Sequence, residues 1–195
     1  MPNLAGRGNH DDELIQTFPR GSHLKTGRQR PSHLVHHFEP SDPDWAAKVR
    51  DSFSRQKVMA FIGARLADVG PGWCEIHLPH REELTQQHGY IQAGIIAAIV
   101  DNAGGYAGYT LMPAGSTVLT VEYKINHLAP GDGELLIAVG EVVKPGRNLV
   151  IARGDVYVVK QGKTRHCATM QQTLMTMHGK DDLPPGTPSP GSGGL

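Results

Sequence analysis

Asp101 is the residue of this sequence whose surroundings most demand a chemical explanation. It follows Ile95, Ile96, Ile99 and Val100 and precedes Ala103 and Ala107. A carboxylate in such company is rarely buried unless it is paired or solvated. Burial raises its pKa toward the range useful to a general base. The alternative is a structural carboxylate that bonds a loop backbone. Seven residues earlier, Gln92-Ala93-Gly94 stands at the start of the same apolar stretch. If that stretch is a helix, its first amides lack intrahelical partners and carry the positive end of the dipole. Ala93 and Gly94 are small enough to let a ligand carbonyl reach those amides. An oxyanion hole built this way is worth about 3–4 kcal/mol to a transition state. Gly94 equally serves tight packing of a helix on a sheet. Asp101 lies about 10.5 Å beyond Gly94 at 1.5 Å per residue. One carbonyl cannot reach both, so a site using both takes the helix start from one chain and Asp101 from another.

Other chemistries find less support. Cys74 and Cys167 are the only cysteines among 195 residues. They suit packing better than catalysis and cannot form a four-cysteine zinc site. His127 and His166 have no serine or cysteine partner pattern, so a hydrolase triad is not supported. His33, His36 and His37 lack the Cys or carboxylate that would complete a metal set. There is no Walker A pattern and no G-x-G-x-x-G after a strand. Nineteen basic residues balance nineteen acidic ones, so bulk charge gives no grip on nucleic acid. Apolar residues at 38% with 24 glycines fit a globular chain. Asp11, Asp12 and Glu13 interrupt the region where a secretory leader would need an apolar core. A cytoplasmic protein with no cofactor and no metal is expected.

The elements that must position Asp101 follow from patterning. Residues 1–42 read as an N-terminal tail, 43–178 as the folded domain, and 179–195, rich in Pro and Gly, as a disordered tail. Ser41 or Asp42 can cap a first helix, with Pro43 in its first turn and Trp45, Val49 and Phe53 forming its inward stripe. Strands are expected over Met59–Asp68 and Trp73–Pro79, joined at Gly70-Pro71-Gly72. Tyr90–Met112 reads as one helix, apolar on nearly every side. Its length and its Gly104/Gly108 pair invite a membrane span. Gln92, Asp101 and Asn102 within it and the absence of a flanking Lys/Arg bias argue for a helix buried inside one domain. Four strands follow: Thr117–Leu128, Leu135–Val143, Leu149–Lys160 and Arg165–Met177. In the first, Leu119, Val121, Tyr123 and Ile125 point one way and Thr120, Glu122, Lys124 and Asn126 the other. Short connections favour antiparallel hairpins. The class is α+β: a curved antiparallel sheet wrapped around one central helix.

That order of elements carries specific residues. Gly89-Tyr90-Ile91-Gln92-Ala93-Gly94 opens the helix and Asp101-Asn102 lies within it. Leu119 to Asn126, Ala129-Pro130 and Gly146-Arg147 follow. In order and spacing, residues 58–177 resemble the hotdog-fold thioesterases, most closely the PaaI type of acyl-CoA thioesterase. The resemblance implies hydrolysis of an acyl-CoA at a site shared in a homodimer or a homotetramer built as a dimer of dimers. Asp101 would be its base or nucleophile, and Gly94 with Ala93 its oxyanion donors. Gln86 and Thr120 would fall where family members hold water or substrate, and Asn102 beside Asp101 would orient it or cap a local polar cluster. Lys124, Lys144 and Arg147 would face the CoA phosphates or stay solvated. The family's histidine falls on Gln92, which keeps both a donor and an acceptor. This departure motivates a second expectation, a hotdog protein that binds acyl-CoA or acyl-lipid without turnover.

Overall fold

The first folded turn answers a local need of backbone amides. In the computed structural model, which describes residues 37–180 and Asp182, Asp42 Oδ1 accepts the Asp44 amide at 2.9 Å. Asp42 also pairs with Lys48 at 3.0 Å. Asp42 thus closes a turn ahead of helix α1 (Trp45–Ser54) instead of capping it; Asp44 holds the cap position without a side-chain bond. The expected stripe faces inward: Val49 is buried, and Trp45 and Phe53 pack on the core. Phe53 meets Tyr106 edge to face at 5.6 Å between centroids.

The strand expected over Met59–Asp68 is two elements. Lys57–Ile62 forms a short helix, α2, and β1 runs only from Arg65 to Gly70. Met59 and Ile62, three residues apart, are both buried and set a helical period that a two-residue reading overlooks. Gly63, at φ 80°, terminates the helix in the left-handed conformation that glycine adopts without penalty.

The remaining elements fall close to expectation: β2 (Trp73–Pro79), α3 (Ala93–Tyr109), β3 (Ser116–His127), β4 (Leu135–Lys144), β5 (Leu149–Lys160) and β6 (Lys163–His178). Helix α3 is shorter at its start than the apolar run, because Ile91 is drawn into bridges with Thr85 and Gly131. The six strands form one antiparallel sheet in the order β1-β2-β4-β5-β6-β3. The turn after β3 is therefore a crossover, contrary to the hairpin expected there. β5 and β6 insert between β3 and β4, a gap of about 14 Å at 4.8 Å per strand. The loop through Pro130 and Gly131 is long enough to span it. All described elements belong to one unit, residues 38–195.

Helix α3 packs across the sheet at backbone distance. A Cβ on Gly140 of β4 would sit 2.2 Å from the Ala103 carbonyl carbon, and one on Gly154 of β5 would sit 2.4 Å from Val100 Cγ2. The helix's own glycines answer the same constraint. Added carbons at Gly104 and Gly108 would come within 2.3 Å of Gln172 and 2.5 Å of Leu174, both on β6. The small-residue pair that invited a membrane reading is thus the face pressed on β6. Among the described residues no helix is long and apolar enough to cross a membrane. Gly140→Ala should cost roughly 2–3 kcal/mol through this backbone collision, read as a lower denaturation midpoint at unchanged m-value.

Candidate active site

Strand β3 carries a bulge between Thr120 and Glu122. Thr120 lies opposite Leu174 and Tyr123 opposite Gln172, while Leu119 lies opposite Met175 and Glu122 opposite Thr173. Directly opposed residues share a face. Leu174 and Gln172 face α3, so Thr120 and Tyr123 do as well, and Leu119 shares the other face with Glu122. The simple alternation expected for this strand fails at Val121, the extra residue. Thr120 is not on the strand's polar face; the bulge aims it at the helix, a device common beside active sites.

Thr120 Oγ1 donates to Asp101 Oδ1 at 2.9 Å. Gln172 Nε2, from β6, donates to the Asp101 carbonyl at 3.1 Å and to Oδ1 at 3.3 Å. Burial raises the Asp101 pKa above the ordinary carboxylate range, and the Thr120 bond, which favours the charged form, pulls the other way. Asn102, expected to orient Asp101 or cap a polar cluster, donates instead to the Ala98 carbonyl one turn back at 2.9 Å.

The start of α3 is built by a loop that folds back on itself. Gln92 N donates to the Leu84 carbonyl at 2.9 Å, Gln86 N to the Tyr90 carbonyl at 2.8 Å and Ile91 N to the Gly131 carbonyl at 3.0 Å. The Gln86 side chain accepts the His88 amide and so closes its own turn. Gln92 is the helix cap. Its Oε1 accepts the amides of Gly94 at 2.5 Å and Ile95 at 3.2 Å. Gly94, the amide expected to bind an oxyanion, is therefore engaged within the chain. The Ala93 N–H has no partner among the described residues.

The predicted residues thus form two groups. Asp101 and Thr120 meet in the middle of α3; Gln86, Gln92, Ala93 and Gly94 gather at its start, about 12 Å away at 1.5 Å per residue. Lys124 is exposed on β3 and donates to Asn126. Arg147 joins neither group. It lines a cavity of about 460 Å³ beyond the C-terminal end of α3, with Leu111, Met112, Val150 and Thr176. Its carbonyl lies 3.1 Å from His178 Nε2. Gln172 was not anticipated, although one signal was present: a polar residue between Met170 and Leu174, where period two calls for an apolar one.

The other candidate chemistries lie elsewhere. Both cysteines are buried, and burial pushes the Cys167 thiol up to about 11 and that of Cys74 higher still. Neither is a ready thiolate. The histidine–carboxylate pairs, His77–Glu75 at 2.6 Å and His166–Asp155 at 3.0 Å, lie on the sheet face away from α3. The register decides this: Glu75, Val139 and Asp155 align beside Cys74, Gly140 and Gly154, which face the helix.

Comparison with known proteins agrees with this geometry. A profile described as the thioesterase superfamily matches residues 88–165, the stretch from the loop before α3 into β6. A thioesterase family protein from Silicibacter pomeroyi is 48% identical in sequence. The match covers 69% of this chain and 99% of that one, with a TM-score of 0.69. The chain belongs to the thioesterase superfamily. Two more distant structures share its fold. A thioesterase from Haemophilus influenzae is 22% identical, with 65% and 87% coverage and a TM-score of 0.59. The PaaI protein of the E. coli phenylacetic acid degradation operon is 15% identical, with 70% and 96% coverage and a TM-score of 0.63. The hotdog architecture and the PaaI-type resemblance both stand.

The raised Asp101 pKa makes a stability prediction for this thioesterase. A carboxyl whose pKa is higher folded than unfolded favours folding below its unfolded value and loses that contribution as pH rises through the folded one. Above that folded value the ionised Asp101 opposes folding. Asp101→Asn, which keeps an acceptor for Thr120 and Gln172, should raise Tm at pH 7. Thermal melts across pH should show the advantage shrinking as the wild-type carboxyl protonates.

Proposed function

We propose that this thioesterase hydrolyses acyl-CoA thioesters at sites shared between two copies of the chain. The observation that carries this reading is the pairing of a half-buried, hydrogen-bonded Asp101 with an Ala93 amide that has no partner among the described residues, about half a helix length apart.

The thioester carbonyl oxygen is bound at the start of α3, where the Ala93 N–H and the positive end of the helix dipole stabilise the charge that develops on it. Gln92, by holding the Gly94 and Ile95 amides, fixes this turn and leaves Ala93 as the donor. Asp101 of the other chain acts on the carbonyl carbon. As a base it takes a proton from water while the water oxygen bonds to the carbon; as a nucleophile it bonds to the carbon itself, and water later cleaves the acyl-enzyme. Either route breaks the C–S bond and expels CoA as thiolate, which takes up the proton released by the attacking water, by way of Asp101 where it acts as base, to give the CoA thiol and the free acid. Gln86, at the foot of the helix start, and Thr120, beside Asp101, complete the polar lining, and Asn102 follows on the same helix. Lys124, exposed on β3, and Arg147, at the far end of α3, are candidates for the CoA phosphates.

A shared site needs a surface for the second copy, and the edge of the sheet offers one. Leu119, Val121 and Tyr123 on β3 are 55%, 53% and 48% exposed. β3 is twelve residues long and pairs only with β6 among the described residues. A long, apolar, open edge is a template for another strand. Tyr123 faces the α3 side yet remains half exposed, so the chain's own helix does not cover that end of the sheet. A second copy paired along β3 would.

The test is thiol release from short-, medium- and long-chain acyl-CoAs and from phenylacetyl-CoA. Asp101→Ala should lose at least about 100-fold in kcat with the oligomer intact. Ala93→Pro removes one N–H at the helix position where proline is best tolerated, and should lose about 100- to 1,000-fold. Mixing the two inactive variants should restore roughly a quarter of wild-type activity, since half the dimers are mixed and each of those has one intact site of two. No recovery on mixing would mean that one chain holds the whole site. CoA-ester binding with no turnover by the wild type would favour the non-catalytic reading that Gln92 motivates.

A further inference from the structure

We propose that Gln172 is a positioning residue for Asp101: its amide fastens one carboxylate oxygen from the sheet side and leaves the other free to meet substrate or water. This rests on the reading of Asp101 as the reacting carboxylate.

Gln172 occupies a place in the sheet where an apolar side chain would fold more easily. On β6 it lies between Met170 and Leu174, both buried against α3. It is itself only 1% exposed. A methionine of similar length would fill the same space with no polar atom to satisfy. Gln172 brings two polar atoms and satisfies one. Its Nε2 reaches both the main chain and the side chain of Asp101, at 3.1 and 3.3 Å. Its Oε1 is buried without a partner among the described residues. The reverse orientation of the amide would turn Oε1 onto the Asp101 carbonyl and carboxylate, acceptors with no proton between them, so the chemistry fixes the assignment. A buried unpaired acceptor costs stability and calls for an explanation beyond packing.

The explanation is what the amide holds. Thr120 Oγ1 approaches Oδ1 from β3 at 2.9 Å, and Gln172 approaches the same oxygen from β6. Two donors from two strands settle the orientation of the carboxylate, and Oδ2 keeps no partner among the described residues. Gly104 belongs to the same device. A Cβ there would stand 2.3 Å from Gln172 Oε1, so glycine one turn beyond Asp101 makes the room that the amide fills.

Among the described residues no charged group competes with this arrangement. On β3, Glu122 and Lys124 lie opposite Thr173 and Gln171, on the face away from α3. On β5 and β4, Asp155, Arg153 and Glu141 share that outer face. From Ala168 to Thr176, β6 carries no charged residue. No charged group is among the causes of the raised Asp101 pKa.

The decisive variant is Gln172→Met, made in the full chain and assayed with octanoyl-CoA and phenylacetyl-CoA beside Asp101→Asn. Positioning predicts a kcat about 10- to 100-fold lower and KM within about threefold. It also predicts an acid limb of kcat/KM moved to higher pH, with Tm equal to or above wild type. The Asp101 carboxyl carbon, followed by NMR, should titrate at higher pH in Gln172→Met, because a bond favouring the charged form is gone. Wild-type kcat and an unchanged carboxyl titration in Gln172→Met would overturn the proposal while an inactive Asp101→Asn left the catalytic reading standing. A joint fall of kcat and Tm with no change in either pH profile would reduce Gln172 to packing and overturn it too. Full activity of Asp101→Asn would sink the reading of Asp101 itself, and the positioning role with it.

Discussion

The closeness of α3 to the sheet is the constraint on which the rest depends. Without side chains at Gly140 and Gly154, the helix backbone comes down onto the two central strands. Without side chains at Gly104 and Gly108, it also comes down onto β6. Four glycines on three elements thus set one distance. That distance decides which groups can touch Asp101. A helix held one side chain farther away would put the Asp101 carboxylate out of reach of the Gln172 amide and the Thr120 hydroxyl. Packing density, usually a matter of stability, here sets the reach of the site's hydrogen bonds.

A second constraint acts at the edge. β3 must pair with β6 along its whole length and also present a hydroxyl to a helix that runs across it. Strict alternation would leave Leu119 facing the helix and Thr120 facing away. The bulge at Val121 reverses that choice for the residues before it while keeping Tyr123 and Ile125 on the inner face beyond it. The irregularity costs part of a ladder and re-aims one side chain, and that side chain is the one on Asp101.

The general plan was legible in the sequence because it is written in long periodic signals. An apolar run interrupted by one carboxylate identified the central helix, and turn residues separated the four strands that follow it. What stayed hidden had no periodic signature. Met59 and Ile62 define a helical face over barely two turns, too short to stand out from a strand. The β3–β6 pairing depends on contacts between residues about fifty positions apart, while the turn at Pro130-Gly131 reads locally as a hairpin. A bulge is a single inserted residue and leaves composition untouched. Gln172 was visible as a polar intruder in an apolar strand, but its meaning required knowing that Asp101 lay across from it. At the helix start, sequence alone does not tell which of two neighbouring amides the cap engages. Gln92 takes the Gly94 amide for its cap, and Ala93, one residue earlier, is left with the unengaged one.

These features share an energetic character. Asp101 is a carboxylate held where burial disfavours its charge, and among the described residues Gln172 carries a buried acceptor with no donor and Ala93 keeps an amide without a partner. The first two cost folding free energy and would be relieved by a common substitution, whereas the exposed Ala93 amide is open to a ligand. Polar groups left unsatisfied in this way gain most from a ligand that brings the complementary charge or lone pair. On the reading proposed here, the Ala93 amide waits for an oxyanion and Asp101 Oδ2 for a proton or a carbonyl carbon. The cost is set beforehand in the fold, so little reorganisation remains when the transition state forms. The two groups lie too far apart on one helix to serve one substrate. A second copy along β3 would therefore supply, with the same contact, both cover for an apolar edge and the missing half of each site. Folding, assembly and chemistry would then draw on a single surface, and a variant that weakens the β3 edge should weaken all three together.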